Sequence, residues 1–335
     1  MTVLVTGAAG FIGFHLCRRL LQTGHAVLGA DNLNDYYSIA LKKARLDLLC
    51  PLPGFSFSLL DMADAQGVAA LFREKSFSHV VHLAAQAGVR YSLECPRAYV
   101  LSNLVGFANL VEACRGSGVR HLVFASSSSV YGGNARLPFR ETDSVDHPVS
   151  LYAASKKSNE LMAHVYSHLY GLPATGLRFF TVYGPWGRPD MALFIFTRAI
   201  LAGEPLPVFA RGRLRRDFTY IDDVVAAVES VIPKPPGPAP DWDPLLPRAD
   251  RSAAPYRLYN VGSGRAEEVN TLIALLERGL GRKAVRDFLS SQPGDVEATC
   301  ADVTAMRREF DWRPRVSLEE GVERFLLWFR QYHGV

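Results

Sequence analysis

Val3-Leu-Val-Thr-Gly-Ala-Ala-Gly-Phe-Ile-Gly13 is the stretch that decides the fold. The residues Thr2 to Thr6 form a short apolar run that reads as a strand. Glycines stand at 7, 10 and 13, and an amphipathic helix follows to about Leu21. Glycine lets a backbone turn tightly and come close to a pyrophosphate, whose charge then sits at the positive end of the helix dipole. The spacing is GxxGxxG rather than the commoner GxGxxG. Alone it is a weak signal. Lying between a strand and a helix near the start of the chain, it is a strong one. Phe11 and Ile12 share the turn and count with Gly7, Gly10 and Gly13 as dinucleotide contacts.

Working outward, a second strand at 26–30 ends in Asp31 and Asn32. An acid about 20 residues beyond the glycines accepts bonds from ribose hydroxyls and repels a 2′-phosphate, which favours NAD over NADP. A third strand from Phe55 to Leu60 ends in Asp61-Met62, an expected adenine contact. A fourth, His79 to Leu83, ends in Ala84-Ala85-Gln86, and small residues there let a cofactor lie close. Its His82 reads as a packed core histidine. The segment from Pro96 to Gly118 has helical spacing, with Asn103 inside as a further cofactor residue. Arg120 to Ala125 is a fifth strand that delivers Ser126 to Ser129, 151–170 is a helix, and Ala174 to Phe179 is a sixth strand. Strand and helix alternating in this way predict a Rossmann-type α/β fold, a doubly wound parallel sheet with ligands at its carboxyl edge. Residues 1–180 then form an NAD-binding domain. Residues 181–335 form a smaller α/β substrate-binding lobe, with segments that return to the first domain. Thr181 to Arg188 reads as a loop, and the proline-rich stretch between Pro233 and Pro255 as an exposed one.

Tyr152-Ala-Ala-Ser-Lys156 places a phenol and an ammonium on one helix face. A free tyrosine titrates near ~10 and is a poor base at neutral pH. A neighbouring lysine favours the phenolate, the tuning that a general acid/base requires. The bulk numbers exclude other classes. The net charge is +4 with scattered basic residues, so no nucleic-acid partner is expected. Five cysteines without paired or metal-type spacing read as reduced thiols, with no metal site. No apolar run approaches the ~20 residues of a membrane span. With a strand so near the first residue there is no room for a signal peptide, and a cytoplasmic protein is expected.

Together these residues resemble the extended short-chain dehydrogenase/reductase family over essentially the whole chain. The family marks are Gly7-x-x-Gly10-x-x-Gly13, Asp31, Tyr152-x-x-x-Lys156 and the serine run. Within the family the chain is most similar to the UDP-glucuronate 4-epimerase subgroup. That likeness rests on Asp31-Asn-Leu-Asn-Asp-Tyr-Tyr37, His82-Leu-Ala-Ala-Gln-Ala-Gly-Val-Arg-Tyr-Ser92, Arg178 to Asp190, Arg216-Asp-Phe-Thr-Tyr-Ile-Asp222 and Gln292-Pro-Gly-Asp295. The resemblance implies an enzyme that interconverts UDP-glucuronic and UDP-galacturonic acid through a transient 4-keto sugar, using bound NAD. Tyr152 would move the C4 hydroxyl proton, Lys156 would hold the nicotinamide ribose, and Ser127 would bond the C4 oxygen. A homodimer paired through the helices near 97–117 and 151–170 is implied as well.

Position 129 separates this reading from related reactions. The dehydratases and decarboxylases of the family carry acids before Val-Tyr-Gly, whereas Ser128-Ser129 precede it here. Neutral hydroxyls bind a carboxylate that a glutamate would repel. Oxidising glucuronate at C4 makes a β-keto acid, so the enzyme must restrain the carboxylate or lose carbon dioxide. Ser128, Ser129, Thr181 and Arg188 are the expected grip, with Arg90 as a second cation. Arg216 aligns with the family's diphosphate arginine. Gln292 and Asp295 are expected near the uridine ribose, and Val208 counts with them as a substrate contact. Tyr36 and Tyr37 match the subgroup with no assigned role. A UDP-hexose or UDP-N-acetylhexosamine 4-epimerase, a UDP-glucuronate decarboxylase and a non-catalytic NAD-binding protein stay open as alternatives.

Overall fold

The computed structural model describes residues 1–290 and 296–335. The first part of the chain alternates strand and helix: β1 (Thr2–Thr6), α1 (Phe11–Gln22), β2 (Ala26–Asp31), α2 (Ile39–Leu49), β3 (Phe55–Leu59), α3 (Ala65–Glu74) and β4 (His79–His82). Two short helical turns, α4 (Tyr91–Glu94) and α5 (Pro96–Tyr99), lead through a π-helical stretch, Val100–Val105, into α6 (Gly106–Arg115). Then come β5 (His121–Ser127), α7 (Leu151–Tyr170) and β6 (Ala174–Phe179). Beyond β6 lie β7 (Thr181–Tyr183), α8 (Ala192–Ala202), β8 (Pro205–Phe209), β9 (Arg215–Tyr220), α9 (Ile221–Val231) and β10 (Tyr256–Val261). The chain closes with β11 (Ala266–Glu268), α10 (Val269–Leu280), β12 (Val285–Leu289), α11 (Thr304–Phe310) and α12 (Leu318–His333).

Seven strands form the main sheet in the order β10-β6-β5-β4-β1-β2-β3, every pair parallel. The order reverses between β1 and β4, the switch point where ligands bind in such sheets. Both faces are covered, so the central strands are apolar on both sides. Leu4, Val80, Leu122 and Phe124 pack with Phe107 and Leu110 of α6 on one face. Val3, Val5, Val81 and Val123 face the other way, against Phe14, Leu16 and Leu20 of α1. His82 is a core residue, with its Nδ1 2.8 Å from Thr6 Oγ1. The seventh strand, β10, comes from beyond the proline-rich loop, so the second part of the chain completes the first part's sheet. Two small sheets, β11-β9-β7 and β12-β8, form the other lobe.

Thr181–Tyr183, which reads as a loop, is a short strand parallel to β9. The partner lies far along the chain, so no local pattern reveals the pairing. Asp217 organises the lobe around it. Its carboxylate accepts bonds from the backbone N–H groups of Ser263 (2.6 Å), Gly264 (3.0 Å) and Ala301 (2.9 Å).

Helix α7 is fastened to the sheet by charge. Arg178 of β6 donates through Nε and Nη2 to both oxygens of Glu160, at 2.8 and 2.9 Å, and Ser126 Oγ adds a third bond at 2.6 Å. The side chains of Arg178 and Glu160 are 0% and 2% exposed. Removing one member of such a pair strands the other charge in the core, at a cost of about 3–5 kcal/mol. Glu160→Gln should therefore lose roughly that much stability in urea unfolding followed by circular dichroism. The double variant Glu160→Met with Arg178→Met should recover most of it. A single variant as stable as the parent protein would refute the assignment.

Candidate active site

A cleft of about 820 Å³ runs along the carboxyl ends of β1, β2, β4, β5 and β6 and is roofed by residues of the second lobe. At one end the β1–α1 turn forms a cradle. Gly7 has φ +72°, and a Cβ added there would lie 2.8 Å from the backbone nitrogen of Ala84. At Gly13 it would lie 2.0 Å from the Gly7 carbonyl oxygen, so no larger residue lets the turn close this tightly. Gly10, the residue before helix α1, offers no side-chain cap, which leaves the helix's first N–H groups facing the cleft. Asp31 accepts bonds from Ala9 N (3.1 Å) and Leu33 N (2.9 Å), which fixes its carboxylate beside the turn with lone pairs to spare. Asn32 donates to Asp61 at 3.0 Å, and Asp61 also accepts from Ala63 N at 2.8 Å. Phe11, Ile12, Met62, Leu83, Ala84, Ala85 and Gln86 complete this end of the wall. Buried Gln86 Nε2 has no hydrogen-bond partner, an unusual loss for a polar atom and one a ligand acceptor would satisfy. An uncapped helix start, a fixed acid and an unpartnered amide fit a dinucleotide.

Asn103 sits behind this wall rather than in it. Its side chain accepts from Gln86 N (2.8 Å) and donates to Gln86 O (3.0 Å) and Ser155 Oγ (2.9 Å). The π-helical stretch supplies the wider turn that swings Asn103 into this position, and Asn159 bonds the Asn103 carbonyl at 2.6 Å. Asn103 thus shapes the cofactor wall through Gln86.

At the centre, Ser150 caps α7 by accepting from Ala153 N, which places Tyr152 in the first turn at the cleft. Lys156, 2% exposed, directs Nζ to the Ala125 carbonyl at 2.9 Å, and burial pushes it down to about 8. Tyr152 departs from the sequence expectation. Burial raises its phenol, and the Ser127 hydroxyl and the Arg188 charge oppose that rise without overcoming it. Ser127 Oγ accepts from Ser129 N and donates to Ser129 Oγ, each at 3.1 Å, so the serine run is one connected turn.

At the far end, Ser128, Ser129, Thr181, Arg188, Arg90 and Arg216 all line the cleft. The guanidinium of Arg90 lies 4.5 Å from the centre of the Phe209 ring. Val208, expected as a substrate contact, is 0% exposed and points into the core instead. The alternation of β8 turns its neighbours Pro207 and Phe209 to the cleft. Gln292 and Asp295 lie outside the described residues. Arg188 is paired with Asp190, through Nε at 3.0 Å and through Nη2, and Asp190 also accepts from Tyr36 Oη at 3.0 Å. Neither partner had a role from sequence; Asp190 lies inside a quoted motif, but only the folded loop brings it back onto Arg188. That loop is held by His15 Nε2 donating to Pro185 O (2.9 Å) and by Trp186 packed against Phe14 and Trp328. Among the described residues no group of His, Cys, Asp and Glu could hold a metal ion.

Known proteins are similar to this chain in sequence and in fold. The chain is 46% identical over 335 residues to a probable UDP-glucuronate 4-epimerase of Rhizobium meliloti, covering 99% of this chain and 97% of that one. The UDP-glucuronic acid 4-epimerase of Bacillus cereus, solved with UDP-glucuronic acid and NAD, superposes with a TM-score of 0.87 at 32% identity, covering 99% and 100% of the two chains. The UDP-glucose 4-epimerase of Thermotoga maritima, solved with UDP-glucose, gives 0.85 at 31% identity with the same coverage. A family model described as the NAD dependent epimerase/dehydratase family matches residues 3–241, and the chain belongs to that family.

Proposed function

We propose that this enzyme carries out NAD-dependent 4-epimerisation of UDP-glucuronic acid to UDP-galacturonic acid through a transient 4-keto sugar. The observation that carries the reading is the end of β5, where Ser127, Ser128 and Ser129 form one hydroxyl turn in the cleft with Tyr152 and Arg188. A dehydratase or decarboxylase needs carboxyl groups at this place, and the turn has none. The relative of Rhizobium meliloti and the Bacillus cereus structure support an acidic sugar.

Bound NAD supplies the hydride acceptor, and in the return step the donor, with no net redox change. The glycine turn, Asp31 and Gln86 would hold it. Tyr152 Oη, acting as the phenolate that the Ser127 hydroxyl and the Arg188 charge favour, takes the proton of the C4 hydroxyl as that carbon becomes a ketone and gives it back when the opposite face is reduced. Ser127, whose hydroxyl favours the Tyr152 phenolate, orients the C4 oxygen. Lys156 adds a positive charge at the foot of the cleft, where its Ala125 bond fixes it and it can bond a ribose hydroxyl. Ser128, Ser129 and Thr181 limit rotation of the carboxylate while Arg188 attracts it, so the β-keto acid keeps its carbon dioxide. Arg216 and Arg90, which both line the cleft, would take the charge of the diphosphate.

Leu161, Val165 and Leu169 stand at helical spacing on α7, about half exposed, beside the exposed Val100, Leu101 and Val105. A second copy of the chain pairing there would cover both stripes in a four-helix bundle. With five unpaired cysteines, a reducing compartment such as the cytoplasm suits the chain.

Incubation with UDP-glucuronic acid, followed by NMR, should yield the galacturonate isomer without a pentose. Pentose as the main product would make the enzyme a decarboxylase, and an unchanged substrate would leave only NAD binding. Tyr152→Phe should lower turnover by about 10²–10⁴-fold while the UDP-sugar still binds; near-normal turnover would remove the tyrosine from the mechanism. Arg188→Ala should raise KM for the acid and leave KM for UDP-glucose unchanged; an unchanged KM for the acid would remove Arg188 from the grip. For assembly, Leu161→Glu with Leu169→Glu should halve the mass seen by light scattering, a change that a protein already monomeric could not show.

A further inference from the structure

Tyr36 and Tyr37, marked by the sequence without a role, close onto the loop that carries Arg188. Arg45 of α2, 0% exposed, donates at 2.7 Å to each of three oxygens: Ala9 O in the glycine turn, Tyr37 Oη, and Trp186 O beside Arg188. The backbone around Arg188 is therefore fixed from behind. What remains variable is how the guanidinium divides its donors. Asp190 takes Nε and Nη2, leaving Nη1 as the nitrogen not bonded to it. The ring of Tyr36 lies 5.7 Å from the guanidinium carbon, and its hydroxyl bonds the same Asp190 oxygen that Nη2 uses. The three side chains all line the cleft.

Two anions cannot both hold one guanidinium at full strength. A sugar carboxylate entering the cleft meets an arginine already bonded to Asp190, with a second negative charge beside it. We propose that Asp190 is an internal competitor of the substrate's carboxylate for Arg188, and that Tyr36 sets the strength of that competition. The inference rests on the reading of Arg188 as the carboxylate's partner. A hydroxyl bonded to Asp190 draws off part of its charge and leaves more of Arg188 for the substrate. Burial acts to raise the Asp190 carboxyl, but the Arg188 charge and the bonds from Arg188 and Tyr36 hold it below its ordinary value, so it remains an anion. Burial first, then the Asp190 charge, pushes the Tyr36 phenol up to about 12, so it keeps its proton and acts as a donor. A divided grip suits this reaction. The keto acid must stay bound while its ring turns over, and an arginine committed wholly to the carboxylate would oppose that turn.

The test is steady-state kinetics of the NAD-loaded enzyme on UDP-glucuronic acid and UDP-glucose, with Asp190→Asn, Tyr36→Phe and Arg188→Ala. Asp190→Asn should lower KM for the acid roughly tenfold, as expected for about 1.4 kcal/mol of released attraction, and should lower kcat as well. Tyr36→Phe should move the same KM the opposite way, roughly threefold upward. Neither should change KM for UDP-glucose. If Asp190→Asn raises KM for the acid or leaves it unchanged, Asp190 only braces Arg188 and the proposal falls. If Arg188→Ala leaves KM for the acid unchanged, the reading of Arg188 fails first and the proposal goes with it. Should the asparagine variant not fold, Asp190→Ser carries the same expectation and the same refutation.

Discussion

With Glu160 and Arg178 both sealed from water, neither charge is tolerable without the other, so helix α7 and strand β6 are held in one register. Much of the site depends on that register. Tyr152 and Lys156 lie two and one turns before Glu160 on the same helix, and Ser126, which adds its bond to Glu160, directly precedes Ser127. One carboxylate therefore ties together the helix with the phenol, the strand with the serine turn, and the next strand of the sheet. Displacing α7 by a turn would break three bonds at Glu160 and move the phenol away from Ser127.

Much of the fold was legible because it is local. The glycine turn, the acid after β2, the small residues after β4 and the serine run each sit at a strand end that the hydrophobic pattern marks by itself. Strand β7 was not legible, since Thr181–Tyr183 becomes a strand only by pairing with β9. Val208 shows a different limit. The sequence reading names Val208 as a substrate contact, but which residue of β8 faces the cleft depends on the strand's register, and one residue reverses the answer. Asn103 is a third case, because a π-helical stretch alters which face a helical residue presents.

Tyr152 shows where a chemical rule needs geometry. A lysine four residues on is expected to draw the phenol down, yet Lys156 directs Nζ to Ala125 O and is not among the groups that shift the tyrosine, where burial dominates. The groups that favour the phenolate are Ser127, from the neighbouring strand, and Arg188, from the second lobe. The proposed acid/base group is thus tuned in part by the residue proposed to hold the sugar's carboxylate. The fold alone does not choose that substrate, as structures solved with an acidic and with a neutral UDP-sugar superpose almost equally well. The proposed function places that choice in the serine turn and in the loop from Gly184 to Asp190.

The last strand of the main sheet, β10, arrives after the proline-rich loop and lies along the outer edge of β6. During synthesis on the ribosome, β6 emerges well before the strand that will cover it, and until then its backbone amides and carbonyls form an open ladder beside the Arg178 pair. The same arrangement governs recombination between relatives: a crossover placed after Phe180 inherits a nucleotide half from one parent and its outermost strand from the other. Moving residues 256–261 together with the amino-terminal half keeps both sides of the β6–β10 seam from one parent.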